Sequence, residues 1–145
     1  MCIIICLIVV EYQRLRKEYK KMLHDIFGEI KFNVGWKTQD HINLFGKEYN
    51  ITLKLQSYFE KDGITKQQEK AYIEYSESKK SKAQVIEKLL KDYSDTAETQ
   101  YLPKTLLINR DGSYALLCDD KNDPDGGIAV CLSPKKMIMI QDDYL

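Results

Sequence analysis

Four carboxylates fall within one short stretch near the end of the chain: Asp119, Asp120, Asp123 and Asp125, followed at once by Gly126-Gly127. Oxygen donors clustered beside glycine are the raw material of a calcium or magnesium site. The spacing does not carry that chemistry through. An EF-hand loop places glycine at its sixth position and a bidentate glutamate at its twelfth. With Gly126 as the sixth residue, the first ligand would be Lys121 and the twelfth Leu132. A solvated turn whose aspartates cap their own backbone is the plainer reading. The functional reading of the same residues is an acidic loop that faces a protein partner. Asp119, Asp120, Asp123 and Asp125 are therefore the candidate partner-binding residues, with no metal ligand and no cofactor expected.

The remaining chemistry is sparse. His24 and His41 are the only histidines, and neither has a cysteine or carboxylate at metal-ligand spacing. There is no glycine-rich phosphate loop, no nucleophile elbow and no CxxC. No catalytic residue is assigned, and the chain reads as a non-enzyme. An enzyme using the carboxylates between Asp119 and Asp125 with a metal is the competing reading, and an oligomerising structural module is another. The ten tyrosines are many for this length. Tyr58, Tyr72, Tyr75, Tyr93 and Tyr101, with Phe59, gather around the expected helices. They serve either as packing or as binding hot spots.

These residues must be positioned by a chain of 145 residues, enough for one domain with its own core. Hydrophobic content of 43% and charged content of 30% are an ordinary globular mix. Zero formal net charge gives no basic footprint for nucleic acid. Residues 2–10, CIIICLIVV, are too few to span a bilayer, and the positive charges follow this run where a signal peptide has them before it. Residues 17–22 can be back-translated, with one choice of codons, as a purine-rich ribosome-binding element ahead of a start codon at Met22. Residues 1–21 are accordingly read as an upstream extension or a mis-assigned start, and 22–145 as the domain. Without the extension the chain carries 17 basic and 20 acidic side chains, a net of −3.

Alternation predicts a strand over 28–36, where Ile30, Phe32, Val34 and Trp36 share one parity. A turn at 38–40 leads to a second strand with Ile42 and Leu44, and Phe45-Gly46-Lys47 leads to a third over 49–55. Thr65 with Gln68, and Ser81 with Gln84, have capping-box spacing, so helices are expected over 66–76 and 82–96. Ala83, Ile86, Leu90, Tyr93 and Ala97 form the stripe of the second. Four short apolar strands follow at 105–108, 114–118, 128–132 and 137–140, separated by turn residues. The expected fold is a single α+β domain in the order βββ-αα-ββββ, with two helices packed on one face of antiparallel sheet. The late strands are apolar on both faces, so their second face needs a cover, either the early strands or a partner. If the hairpin turns near Asp123, Cys118 opposes Ile128 and Cys131 opposes Ala115. The two thiols then lie on opposite faces and remain reduced, as in a cytoplasmic protein.

The late stretch resembles a family of small uncharacterised bacterial α+β domains. In these a strand ends in a DG turn, the next runs into a W-D-P-E-H-G-I-A-type loop, and the chain closes near Q-D-x-x-L. The matches are Asp111-Gly112, Asp123-Pro124-Asp125-Gly126-Gly127-Ile128-Ala129, Pro134, Gln141-Asp142 and Leu145, with Phe45-Gly46-Lys47-Glu48-Tyr49 and the helix after Thr65 upstream. The Glu-His of that loop is Asp125-Gly126 here, and its Trp is Asn122. Domains of this kind look like the immunity proteins encoded beside secreted bacterial toxins. The resemblance implies a cytoplasmic inhibitor whose partner is a toxin domain encoded nearby, with no nucleic acid and no membrane involved. A homodimer is the other partnership considered.

Overall fold

The computed structural model describes residues 21–145. The reading of the upstream segment, with Cys2 and Cys6, lies outside the described residues. Four strands come first: β1 (Lys21–His24), β2 (Gly28–Phe32), β3 (Trp36–Leu44) and β4 (Lys47–Leu55). Helices α1 (Lys66–Glu77) and α2 (Lys79–Tyr93) follow, with a single helical turn α3 (Ala97–Gln100). Four more strands, β5 (Tyr101–Ile108), β6 (Tyr114–Asp120), β7 (Asp123–Ser133) and β8 (Met137–Ile140), lead to a closing turn α4 (Gln141–Tyr144). All eight strands form one sheet, in chain order from edge to edge. Every pair is antiparallel except β4–β5, which is parallel. A parallel step needs a crossover, and the helices supply it.

The domain is α+β, but the order is ββββ-ααα-ββββ-α, not βββ-αα-ββββ. The expected strand over 28–36 breaks at Val34 (φ 51°) and Gly35 (φ 118°), where the Asn33 amide donates to the Gly35 carbonyl. Phe32 then pairs with Trp36. This three-residue reversal preserves side-chain parity, so the alternation runs through it unchanged, with Val34 72% exposed at its tip. The expected turn at 38–40 is continuous strand, in which Gln39, Asp40 and His41 pair with Thr52, Ile51 and Asn50. Phe45 (φ 52°) and Gly46 (φ 76°) make the tight turn anticipated there, with Leu44 opposite Lys47.

Helix α1 carries the expected capping box: Thr65 Oγ1 accepts from the Gln68 amide at 3.1 Å, and Gln68 Oε1 accepts from the Thr65 amide at 2.9 Å. Helix α2 starts earlier than the Ser81/Gln84 spacing suggested. The chain turns out of α1 at Ser78, and the Ser81 hydroxyl donates to the Ser78 carbonyl instead of capping. The helix also ends at Tyr93, which leaves Ala97 in α3, still buried.

The helices cover one face. Ile30, Trp36, Ile42, Leu53, Leu106, Leu116 and Val130 meet Tyr75, Ile86 and Leu90 in the main core. On the opposite face Leu107, Ala115, Leu117, Ala129 and Cys131 form a second cluster with Met139 and Tyr144. The second cover is thus the chain's own closing segment, not the early strands, which extend the same sheet. Tyr144 is held in place by Asn109 Nδ2, which donates to its hydroxyl at 3.0 Å. The hairpin register is as expected: Cys118 opposes Ile128, Cys131 opposes Ala115, and the thiols lie on opposite faces.

The crossover is clamped where it leaves β4 and returns to β5. Gln68 Nε2 donates to the carbonyls of Gln56 (2.9 Å) and Ile108 (3.1 Å). Arg110 donates to the carbonyls of Gln56, Gly63 and Asp62, and the Thr65 hydroxyl donates to the Arg110 carbonyl at 2.7 Å.

Candidate functional site: the acidic hairpin

Lys121 and Asn122 form the tip of the β6–β7 hairpin, between the paired Asp120 and Asp123. Asp120 Oδ1 accepts from the Asn122 amide at 2.9 Å and from Gln100 Nε2 at 3.1 Å. The Lys121 amide donates to the Gln100 carbonyl at 2.9 Å, which fastens the turn to α3. Asp123 Oδ1 accepts from the Asp125 amide at 3.3 Å. These are the Asx caps that the sequence suggested. Asp119 and Asp125 are exposed. The ladder shifts between Asp119 and Asp120, where Asp119 pairs with Gly127 and Asp120 with Asp123. The extra residues of β7 bulge out and carry Asp125 with them.

Close approach explains both glycines. A Cβ on Gly126 would collide with Asp123 Oδ2. A Cβ on Gly127 would lie 2.6 Å from Gln141 Oε1 and 2.7 Å from the Cys118 carbonyl. The glycines let a carboxylate fold onto the loop and let the closing segment lie over its base. The four aspartates do not converge: among the described residues, no group of three or more His, Cys, Asp or Glu side chains is placed to hold a metal ion. The arrangement can present negative charge on a stiff support.

No family model, curated protein or solved structure matches this chain. Among the described residues, no helix is long and apolar enough to cross a membrane.

Two polar clusters escaped the sequence reading. Asp40 shares parity with Ile42 and Leu44 and so faces the helices. Its Oδ1 accepts from Lys79 Nζ and from the His41 amide, both at 2.7 Å. Its Oδ2 and the Tyr75 hydroxyl are buried without a hydrogen-bond partner among the described residues. Burial pushes the Tyr75 phenol up, and the Asp40 charge adds to this. A groove of about 510 Å³ opens beside Asp40 between the β3–β4 hairpin and α2, lined in part by His41, Asn43, Lys79 and Glu87. An aspartate at an inward parity position was the available signal, and the polar run around it hid that signal by imitating a turn.

In the second cluster, the Tyr114 hydroxyl donates to Glu74 Oε2 at 2.5 Å and Lys82 Nζ lies 2.7 Å from Glu74 Oε1. Burial acts to raise the Glu74 carboxyl. The hydrogen bonds from Lys82 and Tyr114, with the nearby positive charges, outweigh it and hold the group below its usual range. Burial and Glu74 together raise the Tyr114 phenol. A tyrosine that holds its proton this firmly is no base at neutral pH. The cluster instead pins α1 to β6. Of the aromatic residues, Tyr75 and Tyr101 are packing residues, whereas Tyr58, Phe59 and Tyr93 are exposed.

Proposed function

We propose that this chain is a non-enzymatic protein-binding domain of the immunity type, which covers a toxin domain encoded nearby and acts in the bacterial cytoplasm. The observation that supports it is the β6–β7 hairpin: its aspartate-rich turn is held by its own caps and by Gln100, so Asp119 and Asp125 beside the tip are offered to a partner with little ordering cost. A rigid negative surface complements the basic cleft of a nucleic-acid-degrading toxin and accelerates encounter with it. Tyr58 and Phe59, also exposed, add aromatic area of the kind that anchors interfaces.

The test is co-expression of this chain with the toxin domains encoded beside its gene. Growth rescue and a co-purifying 1:1 complex are the expected result. Asp119→Asn/Asp125→Asn should slow association about tenfold at low salt while leaving the melting temperature unchanged. Failure to rescue growth from any neighbouring toxin refutes the proposal.

A further inference from the structure

The two edges of a sheet are its natural docking lines, and proteins usually blunt them with charge, proline or a bulge. At one edge stands β8, Met-Ile-Met-Ile, with no charge or proline within it. Among the described residues its only ladder is to β7. Met137 is 41% and Ile140 56% exposed. Basic Lys135-Lys136 precede the strand and acidic Asp142-Asp143 follow it, all four exposed. None of the four forms a close ion pair among the described residues; Lys136 acts on Glu74 only through its field.

We propose that β8 is a self-complementary edge, through which two copies of this chain pair antiparallel into one continuous sheet. The symmetry selects the register. A two-fold axis perpendicular to the sheet keeps the helix faces on the same side, so opposed residues must share a face. In β8, Ile138 packs towards the helix-side core and Met139 towards the outer cluster. Centring the axis on Met139 places it against its own copy and Ile138 against Ile140. The ladder ends where the chain turns into α4, and the antiparallel arrangement brings the exposed Lys135-Lys136 before one strand towards the exposed Asp142-Asp143 in the partner's α4, twice over by symmetry. Centring on Ile138 would set the charged Lys136 against the apolar Ile140. Apolar pairing in the middle with opposite charges at both ends is what a second copy of this edge supplies. This inference does not depend on the immunity reading, because it concerns a different surface and partner.

Sedimentation equilibrium of the full chain at low ionic strength tests it. A four-residue edge is short, so the average mass should climb from one chain towards two as concentration rises from micromolar to near millimolar. Lys135→Glu/Lys136→Glu should weaken the dimer at least tenfold. Adding Asp142→Lys/Asp143→Lys to that variant should restore it, because the reversed charges again face each other. These positions are on the surface, and unchanged circular dichroism checks that the variants fold. A monomer at every concentration overturns the proposal, and so does a dimer indifferent to the first reversal or not restored by the second.

Discussion

Replacing Gln68 by glutamate changes one atom at the centre of the crossover clamp. Gln68 is fully buried. Its Oε1 accepts from the Thr65 amide, and a glutamate there can keep that bond. Its Nε2, which donates to the Gln56 and Ile108 carbonyls, becomes an oxygen facing two oxygens. Each lost donation removes about 1 kcal/mol net. The carbonyls themselves keep partners, since Gln56 O still accepts from Arg110 and Ile108 O from the Gln56 amide. The buried carboxylate adds about 1.4 kcal/mol for each unit by which its pKa rises. With one to two units, the deficit is about 3–5 kcal/mol at neutral pH. In a chain of this size that lowers the melting temperature by roughly 10–15 °C. The sign in pH follows from linkage. The introduced carboxyl has a higher pKa folded than unfolded, so the native state binds the extra proton and stability falls as pH rises from about 4.3 to the folded pKa. Urea unfolding at several pH values should therefore show the smallest deficit at pH 4 and a plateau at neutral pH. Gln68→Met, which cannot titrate, should show a deficit that does not vary with pH. A loss below about 1 kcal/mol for Gln68→Glu at neutral pH, or one independent of pH, would refute the clamp.

Two further outcomes follow from the packing around the late strands. Gly127→Ala should destabilise the fold by about 2 kcal/mol in denaturant titration, through overpacking. Gln141→Ala should not rescue it, because the Cys118 carbonyl would still lie 2.7 Å from the new methyl; full rescue would show that only the side chain of Gln141 matters. Burial pushes the Cys118 thiol up to about 12, with Asp119 adding to it. At pH 8 roughly one thiol in 10⁴ is then ionised. Peptide-resolved maleimide labelling should leave Cys118 unmodified until denaturant is added, and modification within seconds in the native state would contradict its placement.

The features legible in the sequence were local ones. The Phe45-Gly46 turn, the Thr65–Gln68 cap and the pairing of Cys118 with Ile128 each rest on residues near in sequence or on strict alternation, and all three are present. The failures have two causes. The Asn33–Gly35 reversal preserves parity, so periodicity could not reveal it. Asp40 is kept inside by Lys79, 39 residues away. Gln68 reads as a cap but also reaches Ile108, 40 residues on. Tyr144 is tied back to Asn109 across 35 residues. Long-range polar contacts of this kind leave no spacing to count. The acidic hairpin was legible as a turn with caps, and its attachment to Gln100 was not.

The turn residues Asp111, Gly126 and Gly127 and the closing residue Gln141 have structural tasks. Asp111 accepts from the Ser113 amide and hydroxyl, and Ser113 shares Asn109 with Tyr144. Gly127 leaves room for Gln141, and Gly126 leaves room for Asp123. The Asn109–Tyr144 bond and the space at Gly127 let the closing segment lie over the outer face and seal the second apolar cluster, while the space at Gly126 serves the hairpin turn. A motif made of such contacts specifies how a sheet is closed and says nothing of what the sheet binds. The side chains that this closure leaves free are the ones open to a partner. In this chain those are Asp119 on the hairpin, the outward face of Asp125, and the exposed pair Tyr58-Phe59. Substitutions there should change partner binding without changing stability, and substitutions at Gly127 or Asp111 should do the reverse.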